Sequence, residues 1–158
     1  SRDPRWRTIL AITPDTALAS PIFPKGMLRR CQGDGDLGMR MQRLFDIAPL
    51  GPAVIVGTDI PGVKPADIAA AFAALGNHDA VFAPAQDGGY WLVGLKRFPR
   101  TPRPFAHVRW SSADALADTL ANLAGLRCAR LRTEHDLDTA EDLAHLRRLI
   151  GRRILPLS

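Results

Sequence analysis

The sequence predicts an α/β protein, a three-layer α/β/α sandwich around a mainly parallel sheet. Two observations predict this class. Short apolar runs alternate along the chain with segments whose apolar residues recur at helical spacing. The run from Ala53 to Gly57 is apolar without interruption, the mark of a strand buried on both faces. Scale agrees: 158 residues with 46% hydrophobic and 23% charged content suit one domain, spanning residues 1–158, with a core of its own.

Taken in order, Thr8 to Thr13 reads as a strand that ends at Pro14, and a loop with Pro21, Pro24 and Gly26 follows. Leu37, Met41, Leu44, Phe45 and Ala48 share one face of a helix. After the strand Ala53 to Gly57, Pro65 suits the first turn of a helix with an inner face of Ile68, Phe72 and Leu75. Ala80 to Ala83 and Trp91 to Leu95 read as short strands separated by a polar Gly-Gly stretch. Phe98 to Pro104, with three prolines and three arginines counting its neighbour Arg97, is a connection rather than an element. Ser111 and Ser112 offer caps before Leu116, Leu120 and Leu123, and Gly125 stops that helix. Arg127 to Leu131 is a last strand candidate, and Thr139 with Asp142 opens a final helix through Leu143, Leu146 and Ile150.

Composition narrows the function classes. No apolar stretch reaches the ~20 residues of a membrane span. Residues Ser1 to Arg7 carry three arginines and no apolar run behind them, and Cys31 and Cys128 read as reduced thiols; the expected compartment is the cytoplasm. The net charge of +5 and a pI near 10.0 raise nucleic acid as a partner. The 18 arginines form no stripe, however, and no aromatics interleave with them for base stacking, so no nucleic-acid partner is expected.

In an open α/β sheet, ligands bind beyond the carboxyl ends of the strands. The residues following three strands there are Thr58-Asp59-Ile60-Pro61-Gly62, Pro84 to Tyr90, and the polar run ending Asp136-Leu137-Asp138-Thr139. Asp59, Asp87 and Asp138 are thus expected to face one cleft, and such carboxylates suit Mg²⁺ or Mn²⁺. Taken singly, Asp59 is equally a turn residue, Asp138 a helix cap, and Tyr90 a core aromatic. Gly88-Gly89 lets backbone approach a ligand closely, or simply turns a hairpin. Gly33-Asp34-Gly35-Asp36-Leu37-Gly38 matches the dinucleotide spacing G-x-G-x-x-G, and Asp59 follows at a suitable distance. Residues 27–32 contain Arg29, Arg30 and Gln32 and no β-branched residue, so no strand is expected before Gly33. Asp34 and Asp36 would also oppose a pyrophosphate, which leaves a Rossmann domain a minor alternative.

At these residues the chain resembles bacterial "glycosyltransferase A family" proteins of the GT-A, or nucleotide-diphospho-sugar transferase, fold. The resemblance runs from about Thr8 to Leu146 and rests on Gln32 to Met41, Gly57 to Gly62, Pro84 to Gly94, Trp110-Ser111-Ser112 and Asp136 to Leu143. Its most specific stretch is Asp87 to Leu95. It implies relatives among molybdenum-cofactor and deazaflavin-cofactor nucleotidylyltransferases as well as sugar transferases. It further implies Asp59 and Asp138 as metal ligands and catalytic residues. Gln32, Gly35, Asp36, Gly38, Arg40, Asp87, Gly88, Gly89 and Tyr90 are implied to line a pocket for a nucleotide-activated donor and its acceptor. Family members open with a strand, a phosphate-cradling loop and a helix, and this sequence starts after that βα unit. Unpaired edges are therefore expected at Thr8–Thr13 and Ala53–Gly57, covered either by self-association or by a segment of a longer protein. A non-catalytic nucleotide-binding or assembly module is the alternative this departure favours.

Overall fold

The computed structural model describes residues 3–58, 60 and 62–132. Its elements are β1 (Ile9–Ile12), a 3-10 turn (Asp15–Ala19), β2 (Leu28–Cys31), α1 (Leu37–Ile47), β3 (Ala53–Val56), α2 (Pro65–Ala74), β4 (Ala80–Pro84), β5 (Tyr90–Leu95), α3 (Ala115–Ala121) and β6 (Cys128–Arg130). The expected helix after Thr139 lies outside the described residues.

Four strands form one sheet in the order β3-β5-β4-β6. β3, β4 and β6 run in one direction, and β5 runs against both of its neighbours. The reason is connection length. The crossover through α2 returns the chain parallel to β3, whereas residues 85–89 are too few for anything but a hairpin. The hairpin therefore inserts β5 antiparallel into the slot between β3 and β4, in an otherwise parallel set.

Helices cover both faces, giving the expected three layers. On one face, Met41 and Phe45 of α1 pack with Phe82, Val93 and Leu95 of the sheet and with Phe105 and Leu123. On the other, Ala71 and Leu75 of α2 pack on Val81, Ala83, Trp91 and Leu92. β4 feeds both layers, so its apolar run is continuous, as a doubly covered strand requires. Phe45 and Phe105 stack with ring centroids 6.0 Å apart, while Phe82 meets Tyr90 edge-on at 5.2 Å. Pro65 occupies the first turn of α2 as expected. Among the described residues no helix is long and apolar enough to cross a membrane.

Two sequence expectations need correction. All four residues of β3 are half-buried rather than enclosed, because among the described residues the strand pairs with β5 on one side only. The second concerns residues 27–32, where a strand does form. β2 pairs in parallel with β1, in register from Ile9 opposite Leu28 to Ile12 opposite Cys31. Arg29 does not oppose that strand; its guanidinium donates to the carbonyls of Leu18, Ser20 and Phe23 and ties the preceding loop to it. Tertiary pairing overrides weak local β preference here.

Among the described residues, β1 pairs only with β2 and β3 only with β5, so each leaves one edge without a strand partner.

Phe82 is fully buried at the junction of α1, β5 and the Tyr90 ring. Phe82→Ala is expected to cost about 3–5 kcal/mol by transfer plus cavity terms, measured by denaturant unfolding. A loss below about 1 kcal/mol would show that the layer collapses around the void.

Candidate functional site

Because β3, β4 and β6 point the same way, their carboxyl ends share one edge of the sheet, joined there by the start of β5. The backbone confirms the continuity: the Gly57 N–H donates to the Trp91 carbonyl at 2.9 Å, and the Leu131 N–H to the Phe82 carbonyl at 2.8 Å. Thr58, the 85–89 turn and Arg132 therefore emerge together. Asp59 and Asp138, the expected metal ligands, lie outside the described residues. Among the described residues no three His, Cys, Asp or Glu side chains cluster as a metal site would need.

The Asp87–Gly89 turn is built by its own residues. Asp87 accepts the Gly89 N–H on Oδ1 at 2.9 Å, a local turn bond, and remains exposed. Gly88 has φ +85°, and a Cβ there would lie 2.1 Å from the Ala113 carbonyl oxygen. The Gly88 carbonyl in turn accepts the Leu116 N–H at 3.0 Å, fastening the turn to the start of α3. Glycine is thus required twice at this position, by conformation and by the neighbouring backbone. Below it, Arg109 bridges Asp114 at 2.7 Å and Asp118 at 2.8 Å. The hydrogen bond from the Arg109 side chain, with that of its backbone N–H, holds the Asp118 carboxyl down at about 2.

Tyr90 belongs to the core rather than to an open surface. Its ring meets Phe82 and, at 6.4 Å, Trp110. Its hydroxyl lies 3.4 Å from Thr119 Oγ1, which itself donates to the Ala115 carbonyl, leaving the phenol to donate. Burial pushes the Tyr90 phenol up to about 12.

The second glycine turn follows β2 directly, so the missing strand is no longer an objection to the dinucleotide spacing. Two of the donors there, however, are already engaged. The Gly33 N–H donates to Asp15 Oδ1 at 3.1 Å, and Asp36 caps α1 by accepting the Met39 N–H at 2.8 Å. A carboxylate thus sits where a pyrophosphate would bind. Among the described residues its parent strand also pairs with β1 alone, outside the four-stranded sheet. Arg40 donates to the Gly35 carbonyl at 2.8 Å, and Arg43 donates to the carbonyls of Gln32 and Asp34. The Gln32 side chain donates to the Ala11 carbonyl at 3.1 Å, joining the turn to β1. Gly38 is buried, and a Cβ there would come 2.8 Å from the Phe105 carbonyl and from the Trp110 ring. Asp34, Gly35 and Asp36 remain exposed.

The two turns therefore rest on one segment: Gly38 on Phe105 and Trp110, Gly88 on Ala113. Sequence reasoning missed three contributors to this edge, namely Asp15, the Arg109 ion-pair cluster, and Asp67 with Arg132. Asp67 accepts both Nε and an Nη of Arg132 at 2.8 Å from residues 65 positions apart, a separation at which no local pattern signals a pair. A pocket of ≈ 600 Å³ lined in part by Trp6, Arg7, Lys25 and Met27 lies at the amino ends of β1 and β2, opposite the glycine turn.

Gly88→Ala is expected to cost about 3 kcal/mol, combining left-handed strain with overlap against Ala113, and to lower the thermal midpoint. An unchanged midpoint would mean the turn moves off α3 freely. A second expectation uses Tyr90 as the chain's sole tyrosine. Its folded pKa near 12 lies above the ordinary 10.0, so the folded state keeps a proton the unfolded state loses, and stability falls as pH rises between those values. The tyrosinate ultraviolet band should appear near pH 12 in native protein and near 10 in denaturant; native ionisation near 10 would place the hydroxyl in water.

No curated protein matches the chain. A crystal structure described as a "putative nucleotide-diphospho-sugar transferase" from Desulfovibrio desulfuricans matches with a TM-score of 0.61 and 26% identity, over 84% of this chain and 68% of that one. The α/β fold described above is accordingly GT-A-like. A family model, "Uncharacterized protein conserved in bacteria (DUF2064)", matches residues 1–112, and the chain belongs to that family.

Proposed function

We propose that the protein is a metal-dependent transferase acting on a nucleotide-activated donor, of the glycosyltransferase or nucleotidyltransferase kind. The observation that carries this reading is the likeness of 84% of the chain to the Desulfovibrio structure. In support, two glycine turns rest on one buttress, residues 105–113, and the Asp87–Gly89 turn lies at the sheet edge where β3 and β6 end. Asp59 and Asp138 are the proposed catalytic pair and would hold Mg²⁺ or Mn²⁺, since two carboxylates offer the hard oxygen donors these ions take. When bound, such an ion would neutralise charge on a diphosphate leaving group. The Asp87–Gly89 turn would offer backbone to the donor without side-chain obstruction at Gly88 and Gly89. Gln32, Gly35, Asp36 and Arg40 would border the donor or acceptor.

The kinship with molybdenum-cofactor and deazaflavin-cofactor nucleotidylyltransferases belongs to this proposal, as do a cytoplasmic setting and self-association through the open edges of β1 and β3. A second reading, a nucleotide-binding or assembly module without catalysis, is favoured by one observation. The Gly33 and Met39 N–H groups are taken by Asp15 and Asp36, so carboxylates rather than a phosphate meet these two donors beside the turn after β2.

A thermal-shift series separates the two. With nucleotide sugars or nucleoside triphosphates near a hundredfold above Kd, stabilisation of about 2.7 kcal/mol is expected only with Mn²⁺ present, and Asp59→Asn is expected to remove it. Stabilisation indifferent to Mn²⁺ and to Asp59→Asn would support the module instead. No stabilisation by any donor would overturn both.

A further inference from the structure

The other end of the sheet, where β3, β4 and β6 begin and β5 finishes, has no part in the proposed site. Leu95 there stands opposite both Ala53 and Ala80. The chain leaving β5 meets the loop between α1 and β3, and Arg97 clasps the two. Its guanidinium donates to the carbonyls of Ala48, Pro49 and Gly51 at 2.9, 2.7 and 2.8 Å. Leu50, between two of those carbonyls, is fully exposed, and Phe98, next to the clasping arginine, is 78% exposed. Ile47, which ends α1, is half exposed. Leu126 is also exposed at this end of the sheet, where the Arg127 carbonyl beside it accepts the Asp79 N–H at 2.7 Å.

Scattered exposed leucines need no explanation, but here large apolar side chains are gathered and held. Pro49, Pro52, Pro99 and Pro102 fix φ in the two clasped segments, and the three guanidinium bonds tie one segment to the other. Little further ordering is therefore needed on binding. Charge surrounds the apolar tips. Lys96, Arg97, Arg100, Arg103 and Arg127 lie in these segments, and the acids beside them are already paired. Asp46 meets Arg103 at 3.3 Å, and Asp79 meets Arg127 at 3.8 Å.

Apolar tips ringed by cations match the boundary of a bilayer with anionic headgroups, where apolar side chains enter the acyl boundary and Lys or Arg meets phosphate. A second copy of the chain would set like charges against each other across a two-fold interface. The full exposure of Leu50 also suits a fluid layer that closes around it, whereas a protein partner must supply a matching hollow.

We propose that this end of the sheet is a peripheral docking surface for membranes carrying anionic lipid. Leu50 and Phe98 enter the headgroup boundary, and Lys96, Arg100, Arg103 and Arg127 meet the lipid phosphates. The surface lies opposite the Asp87–Gly89 turn, so docking leaves that turn accessible, and the inference does not depend on the transferase reading.

The test is flotation of the full chain with vesicles of phosphatidylcholine alone and of phosphatidylcholine with one-third phosphatidylglycerol. Binding is expected to the anionic vesicles only, and it should weaken as salt rises. Leu50→Ser and Phe98→Ser should each weaken it roughly tenfold, as partial burial of a large apolar side chain implies. Arg100→Gln should weaken it about fivefold, the worth of one cation near an anionic surface. Thermal midpoints of these variants should stay at the wild-type value, since the side chains are exposed. Leu37→Ser, an exposed apolar change about 15 Å away at the far end of α1, should leave vesicle binding unchanged.

Equal binding to both vesicle types, or none to either, overturns the proposal. Binding that survives both serine variants also overturns it, because adsorption is then by net charge alone. Affinity for polyglutamate equal to that for the anionic vesicles, and lowered by the same variants, assigns the surface to an acidic protein instead. A wild-type dimer in sedimentation equilibrium that Leu50→Ser disperses assigns it to a second copy and likewise overturns the membrane role.

Discussion

The antiparallel insertion of β5 between β3 and β4 is the constraint on which the rest of the structure depends. Residues Trp91 to Leu95 are almost completely buried, and the strand is hydrogen-bonded along both sides. Each face of the resulting sheet is apolar and must be covered, α1 and the 105–123 region taking one side and α2 the other. The insertion also turns the chain at residues 85–89 and so delivers a glycine turn to the edge where β3 and β6 end. Gly94, opposite Val54 and Val81 across the two ladders, keeps this central strand thin enough for both neighbours to meet Leu75.

Arginine explains much of how the loops around that sheet are held. Arg29 gathers three carbonyls of the loop before β2. Arg43 does the same for the turn after it. Arg97 donates to the carbonyls of Ala48, Pro49 and Gly51, closing the end of α1 against the chain leaving β5. A guanidinium offers five donors in a fixed plane, so a single side chain satisfies several carbonyls that turns leave unpaired. The excess of positive charge in the composition thus has structural employment, scattered through the fold as the sequence showed it to be scattered along the chain.

The two glycine turns pack on the same buttress, residues 105–113. Gly38 allows α1 to approach Phe105 and Trp110, and Gly88 allows the hairpin to approach Ala113. The Arg109 cluster adds little stability by itself, but its bidentate contact with Asp118 ties the buttress to α3. Tyr90 closes the arrangement from inside, joining Phe82, Trp110 and Thr119. The aromatic beside the Gly-Gly pair therefore serves the turn by packing under it.

What the sequence by itself determined is whatever depends on neighbours a few residues away. The apolar faces of α1 and α2, the place of Pro65 in the first turn of α2, and the Gly-Gly turn all follow from periodicity and steric limits that act locally. The strand at Ala53 was legible for the same reason, though not its half-burial, which depends on its lying at an edge. Only the tertiary structure decided the direction of β5, because an apolar run is identical read either way and the hairpin and its two partners set the sense. Likewise β2 became a strand through pairing with β1, with arginines that local propensity counts against it. Asp67 and Arg132 meet across 65 residues, as Arg97 at the end of β5 meets residues 48–51 ahead of the neighbouring strand β3. Such pairings carry no periodic signature, since their energy comes from geometry that exists only after the layers have packed.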